Sequence, residues 1–187
     1  IWSSLVGSEM CIRDSIIGDE ILSGRTRDSN MHYLSCELTK IGIDLQEARF
    51  IPDNAAKIID DVRCVSSKYD YVFTSGGIGP THDDITADCI AAAFETEISI
   101  REDAFKLLEN YYSEQNIDFN SARQRMARIP NGAKLIDNPI SVAPGFYLNN
   151  VFVMAGVPNI FQSMVQSILP LPLNGKPVLS KSVRIPR

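Results

Sequence analysis

No apolar run in these 187 residues approaches the roughly 20 that span a bilayer, and the N-terminus lacks a basic stretch leading into an apolar one. A cytoplasmic domain with no membrane partner is the expectation. The four cysteines, Cys11, Cys36, Cys64 and Cys89, show no C-x-x-C spacing, which argues against a zinc or redox site. Three of them fall in apolar helical stretches, where a reduced, buried thiol behaves as a small hydrophobe. Basic charge is scarce as well: 18 Lys and Arg against 23 Asp and Glu leave a net charge of −5. Nonspecific nucleic-acid binding requires the reverse, because its free energy comes from displacing counterions from phosphates. The nearest basic group, Arg123, Arg125 and Arg128, reads as a helix surface. Of the two histidines, His32 reads as a surface residue of a helix, and His82 lacks the Cys or Ser partner that nucleophilic catalysis needs.

What is present is the composition of a globular protein, 44% hydrophobic and 22% charged. A chain of this length forms one domain with a short appendage, burying about 70% of its unfolded surface without a disulfide or metal staple.

The pattern of elements alternates. Ile16-Ile17 reads as a strand running into Gly18-Asp19-Glu20, although Arg13, Asp14 and Ser15 interrupt the apolar run that a strand buried on both faces should show. The string Ile1 to Ser15 resembles translated sequencing-adaptor read-through, and we read it as standing in place of the native first strand, with residues 16–169 as the domain. Met31, Leu34, Leu38 and Ile41 predict a helix over Asp28 to Ile41, stopped by Gly42. A strand follows at Leu45 to Ile51, then a Pro52-Asp53-Asn54 turn and N-cap, then a helix through Ser66. Tyr69 to Ser75 reads as a strand and Asp84 to Phe94 as a helix. This β-α-β-α-β-α order predicts a three-layer α/β fold around a doubly wound, mostly parallel sheet. Helices are expected at Glu102 to Gln115 and Asn120 to Arg128. Short strands follow at Ala133 to Ile136, Gly145 to Leu148 and Val151 to Met154, the last two joined as a hairpin through Asn149-Asn150. Val157 to Leu169 closes the domain as a helix. Residues 170–187 read as an extension towards a second unit or a partner subunit, with a strand at Lys176 to Ile185.

The strongest chemical signal is the loop from Thr74 to Thr86, Thr-Ser-Gly-Gly-Ile-Gly-Pro-Thr-His-Asp-Asp-Ile-Thr, set between a strand and a helix. In open α/β sheets ligands bind beyond the carboxyl ends of the strands, where this loop lies. Gly76, Gly77 and Gly79 permit positive φ angles and let backbone amides approach phosphate oxygens, and the helix N-terminus adds positive potential. A tight turn is the plain alternative. Asp83 and Asp84 shift the balance, because two carboxylates beside a phosphate repel it unless a cation intervenes. Asp84 as a helix cap would leave Asp83 for chemistry. Asp19 and Glu20 occupy the equivalent place on the first strand and are expected to converge with Asp83. His82 is a candidate substrate contact, and Gly156-Val157-Pro158 forms another strand-to-helix mouth where a flat ring fits.

Gly18-Asp19-Glu20-Ile21-Leu22-Ser23-Gly24 with Asp28-Ser29-Asn30, then Thr74 to Thr86, then Gly156-Val157-Pro158 resemble the molybdopterin-binding family, in its CinA-like branch, over about Ile16 to Arg187. The resemblance implies a homo-oligomer, dimer or trimer, holding a nucleotide or pterin phosphate with Mg²⁺, or Mn²⁺ or Co²⁺ in its place. It assigns Asp19 and Asp83 as metal and catalytic carboxylates, with Asp84 assisting. Ser75, Gly76, Gly77 and Gly79 would hold phosphate, Ser23, Asn30 and Thr81 would contact ligand, and Gly156 and Pro158 would line a ring pocket. Three functions follow. The first is a metal-dependent pyrophosphatase acting on ADP-ribose or a related nucleotide, favoured by the CinA-like Gly175 to Ser180. The second is molybdopterin adenylylation in molybdenum cofactor biosynthesis, and the third a non-catalytic binding module.

Overall fold

The apolar runs take the middle of the sheet. In a computed structural model, which describes residues 10–169, Val72 and Phe73 of β3 (Tyr71–Ser75) and all of β8 (Val151–Met154) are buried, since helices cover both faces. These strands sit inside a six-stranded sheet that also contains β1 (Ile12–Ile17), β2 (Leu45–Ile51), β6 (Lys134–Ile136) and β7 (Gly145–Leu148), in the order β2-β1-β3-β8-β7-β6. The first four in that order run parallel, and β7 and β6 are antiparallel additions.

Side chains alternate between the sheet's two faces and so divide the core in two. On one face Ile12, Phe73, Phe152 and Met154 pack with Leu34 and Leu38 of α2 (Asn30–Lys40) and with Phe161, Met164 and Val165 of α7 (Pro158–Ile168). On the other, Ile17, Val72, Val151 and Val153 meet Ile58, Val62 and Val65 of α3 (Ala55–Ser66) and Cys89 and Ile90 of α4 (Thr86–Ala93). Ala104 and Leu108 of α5 (Glu102–Glu114) extend this second core. The result is the expected three-layer α/β architecture. Because α2 and α3 leave β1 and β2 for opposite faces, the chain changes winding direction between the neighbouring strands β1 and β3. Loops at such a switch point splay apart and leave a crevice.

Local chemistry sets the element ends. Asn54 caps α3 by accepting from the Lys57 amide at 3.2 Å. Asp28 receives the Asn30 and Met31 amides, each at 3.2 Å, and so starts α2 two residues later than the periodicity predicts. Asn149, at φ 53°, turns the β7–β8 hairpin.

Several expectations need correction. The first strand starts at Ile12, so Arg13, Asp14 and Ser15 belong to it and are buried. Arg13 and Ser15 face α3, where Asp61 accepts from both at 2.8 and 2.9 Å. Asp14 has no hydrogen-bond partner, and burial pushes its carboxyl up to about 8, with the Asp28 charge adding to the effect. Asp19–Leu22 forms a short helix, α1, where a loop was expected. The helix foreseen over Asn120 to Arg128 stops early: α6 (Ser121–Gln124) tightens into a 3-10 turn, Arg125–Ala127, and Arg128–Pro130 becomes strand β5. It pairs antiparallel with β4 (Ile98–Ile100), which is too short to show a period in the sequence. Proline is tolerated in β5 because a two-stranded ribbon leaves each strand an unpaired edge. Cys36 is exposed and Cys64 half-buried, and only Cys89 of the three helical cysteines is fully buried. Lys176 to Ile185 lies outside the described residues. Among the described residues no helix is long and apolar enough to cross a membrane.

Candidate functional site

The carboxyl ends of β1, β3 and β8 open on one cleft of about 490 Å³, within the usual range for a small-ligand site. Its floor is the glycine loop. Gly76 (φ 106°) and Gly77 (φ 68°) adopt a region that L side chains avoid. The Gly76 amide donates to Met154 O at 3.0 Å and the Thr86 amide to Gly77 O at 2.9 Å, so the turn is tied to β8 and to the start of α4. Gly156 crosses it closely: a Cβ there would stand 3.2 Å from the Gly76 Cα. The loop is therefore an ordered turn, tied at both ends, that lines the crevice.

The residues proposed from sequence divide. Gly76, Gly77, Gly79, Asp83, Asp84, Gly156 and Pro158 all line this cleft. Ser75 and Asn30 line a smaller pocket beside it. Ser23 is turned away, with its hydroxyl donating to Glu20 O at 3.2 Å and accepting from Arg25. Thr81 is exposed and serves Asp84, whose Oδ2 takes the Thr81 amide at 2.9 Å and its hydroxyl at 2.5 Å. Asp84 therefore closes a turn inside the loop and is not the cap of α4, whose N-cap is Ile85. His82 is almost fully exposed, with Nδ1 3.4 Å from Asp83 Oδ1.

Asp19 stands at the rim. Its amide donates to Asp53 Oδ2 at 2.9 Å, while its Oδ1 accepts the Asp53 amide at 3.3 Å, clasping the end of β1 to the end of β2. Asp53 and Glu20, rather than Asp19, line the cleft. Partial burial holds the Asp53 carboxyl above its usual range, and the charges of Asp19, Glu20 and Asp83 push the same way, against a hydrogen bond from the Asp19 amide. Asp83 moves in the other direction, held down by its own amide N–H, by the Thr81 hydroxyl and by His82. Sequence reading took Asp53 for a turn residue. Its position directly after a parallel strand, at the same sheet edge as Asp19 and Asp83, was the signal that marked it.

Among the described residues no Lys, Arg or His lines the cleft, whereas Glu20, Asp53, Asp83 and Asp84 do. Of the three arginines read as a helix surface, two have partners elsewhere. Arg123 lies over the Tyr112 ring at 4.9 Å and donates to Asp118 O. Arg128 grips Asp88 at 2.6 and 2.9 Å. Arg125 lines a narrow pocket of about 20 Å³ next to the glycine loop. Oxygen donors of this kind suit a hard cation, yet among the described residues no group of three or more His, Cys, Asp or Glu is arranged to hold a metal unaided. They fit a cation such as Mg²⁺, which keeps several waters and is bound by one or two carboxylates together with substrate phosphates.

Such a sheet, with its glycine turn and acidic rim at the switch point, defines a three-layer α/β domain with a ligand-sized cleft. Residues 15–175 match the family model described as "Probable molybdopterin binding domain", and the chain belongs to that family. Curated proteins from Caldivirga maquilingensis and Archaeoglobus fulgidus are 32% and 33% identical over 158 and 153 residues, 82% of this chain in each case. The aligned part makes up 62% and 65% of those relatives, so the chain spans less than two thirds of their length. Among solved structures, CinA from Thermoplasma acidophilum, described as of unknown function, is 28% identical with a TM-score of 0.77, covering 87% of this chain and 97% of that one. The tungsten cofactor synthesizing protein MoaB from Pyrococcus furiosus, at 18% identity and a TM-score of 0.53 over 87% and 92% of the two chains, shares the fold.

Proposed function

We propose that this CinA-like domain is a metal-assisted pyrophosphatase acting on ADP-ribose or a related nucleotide. One observation carries the reading: a glycine turn opens onto a cleft that, among the described residues, is lined by four carboxylates and no basic side chain. An anion placed there meets repulsion unless a cation accompanies it, and a diphosphate brings the oxygens that complete the cation's shell. When bound, Mg²⁺, Mn²⁺ or Co²⁺ supplies charge neutralisation and a more acidic water.

The protein's own groups do the rest. Amides of Gly77 and Gly79 would hold phosphate oxygens, with Gly76 tying the turn to β8, and Thr81 keeps Asp84 in place beside Gly79. Asp83, held towards its charged form by its own amide, and Glu20 would hold the cation at the rim, with Asp19 braced against Asp53 behind them. Partial burial raises the proton affinity of Asp53, which suits a general base, and Asp53 would take the proton of the water that attacks phosphorus. Two neighbouring carboxylates with proton affinities pushed apart divide the labour between them. The apolar part of the lining, Ile78, Ala155, Val157 and Ile160, offers a bed for a flat ring. That bed also favours a second reading, pterin binding with adenylylation.

The assay is direct. Purified protein with ADP-ribose and Mg²⁺, Mn²⁺ or Co²⁺ should release AMP and ribose 5-phosphate. Asp83→Asn should lower the rate by about 10²-fold or more, consistent with loss of several kcal/mol of transition-state stabilisation, while circular dichroism stays unchanged. Binding without AMP formation under all three metals rejects the hydrolase and favours the pterin or pure binding reading.

A further inference from the structure

The loop of residues 137–144 joins β6 to β7 and contributes Asn138, Ser141 and Ala143 to the lining of the main cleft. Phe146 stands opposite Val153, which brings this loop to the carboxyl end of β8, at the sheet edge where Gly156 lies. In the order of the sheet the start of β7 is three strand spacings, roughly 14 Å, from β1 and its acids. Asn138 is only 5% exposed, and its whole amide is used inside the loop. Oδ1 accepts the Ile140 and Ser141 amides at 3.1 and 3.2 Å, while Nδ2 donates to Ala143 O at 2.9 Å and to Ser141 Oγ at 2.6 Å. Backbone partners on both sides fix which end of the amide is oxygen. These bonds hold a strained turn: the Ala143 amide closes on Ser141 O at 2.7 Å around Val142, whose φ of 63° a β-branched side chain resists. Strain of this kind persists only where its surroundings over-determine it, and it collects at ligand sites. Ser141 is half-buried, and its Oγ accepts from an amide group that can only donate. The hydroxyl hydrogen is therefore left to give, and among the described residues no group takes it.

We propose that this loop is the specificity wall of the cleft: Asn138 positions it, and Ser141 donates its hydroxyl hydrogen to an acceptor atom on the edge of the ligand's ring. The inference rests on the nucleotide reading of the cleft and deepens it. Along the sheet edge the phosphate position is the turn after β3, with Glu20 and Asp53 on one side of it, after β1 and β2. On the other side come Ala155 and Val157, after β8, and Ala143, before β7. That is the apolar bed for the ring, and Ser141 is two residues from Ala143. Apolar pockets take their selectivity from a few placed polar groups. A neutral hydroxyl beside such a bed suits a ring nitrogen or carbonyl, which accepts a hydrogen bond without needing a cation. Asn138 has neither a donor nor an acceptor left for the ligand, so it acts through the loop alone.

The test is calorimetry in Mg²⁺ with ADP, with its 1-deaza, 3-deaza and 7-deaza analogues, each lacking one ring acceptor, and with ribose 5-phosphate, which lacks the ring. Ser141→Ala should weaken ADP about tenfold, the usual scale of one hydrogen bond, and leave ribose 5-phosphate unchanged. One deaza analogue should bind wild type as weakly as ADP binds Ser141→Ala, and should lose nothing further in that variant. Asn138→Ala should weaken ADP at least as much and again spare ribose 5-phosphate, a selectivity that general damage to the fold would not produce. Ser141→Ala carries the test whether or not Asn138→Ala folds, and the deaza series decides alone where ribose 5-phosphate binds too weakly to titrate. Unchanged ADP binding in Ser141→Ala, equal losses for ADP and ribose 5-phosphate, or additive losses for all three analogues would overturn the ring contact and leave the nucleotide reading standing. Failure of both ADP and ribose 5-phosphate to bind wild type removes that reading, and this inference with it.

Discussion

Asp14→Val should raise stability by about 5 kcal/mol at pH 8 and by only about 2 kcal/mol near pH 5, on the scale of about 1.4 kcal/mol per unit of pKa displacement. The cause lies in the middle of β1. Asp14 is fully buried between Ala48 of β2 and Phe73 of β3, with both carboxylate oxygens unpartnered. Arg13 helps least of the groups acting on Asp14, because neighbouring residues of a strand face opposite sides of the sheet and Arg13 is engaged with Asp61. The folded carboxyl holds its proton up to about pH 8, against an ordinary value of 3.8. Between those values the folded state binds more protons than the unfolded one, so wild-type stability falls as pH rises and then levels off. Valine removes the slope along with the penalty, and its branched Cβ suits a strand between two others. Urea melts of both proteins from pH 5 to pH 8.5 read this out. Parallel stability curves for the two proteins would show that Asp14 has found a partner that the structure lacks.

Gly76→Ala should destroy the site. The new methyl would fall on the Ile17 carbonyl oxygen, a backbone atom of the adjacent strand, and the residue would keep a positive φ that alanine resists. Strain and overlap together should cost about 3 kcal/mol or force the loop away from β1. Either outcome moves the amides from the phosphate position, so nucleotide binding should drop below detection in calorimetry. Gly79→Ala is the informative contrast. Its methyl would meet the end of the Asp84 side chain, 2.6 Å away, and its φ is not in the left-handed region. The loop should survive there with Asp84 displaced, lowering affinity several-fold with little change in the urea midpoint. If Gly76→Ala binds as wild type does, the turn is a connection and not a cradle.

Much of the fold was legible because it depends on local signals. Asn54 caps the helix it was expected to cap, and β2, β7 and β8 begin and end at the residues expected for them. The alternation of strands and helices was enough to specify the parallel sheet. The misses come from long-range contacts. Ile98–Ile100 and Arg128–Pro130 become strands only by pairing with each other across some 30 residues, and neither segment announces itself alone. The polarity of Arg13-Asp14-Ser15 argued against a buried strand there, and that reading failed because main-chain pairing with β2 and β3 enlists those residues all the same. The glycine loop, Asp83 and the Gly156 mouth were found because strand-loop-helix order puts them at one sheet edge. Asp53 was missed because its role depends on β2 ending next to β1. The reciprocal hydrogen bonds between Asp19 and Asp53 depend on three-dimensional proximity that spacing in the chain does not encode.

The central claim is that the acids of the cleft act through a cation held jointly with the ligand's phosphates. The most direct measurement is calorimetric titration of ADP-ribose into wild type and Asp83→Asn, each with Mg²⁺ and with EDTA. Wild type should bind with Mg²⁺ and lose at least tenfold in affinity in EDTA. Asp83→Asn should bind more weakly than wild type with Mg²⁺ and no more weakly than wild type in EDTA, since a lost carboxylate then only relieves repulsion. Wild-type binding of equal strength in Mg²⁺ and in EDTA would contradict the account.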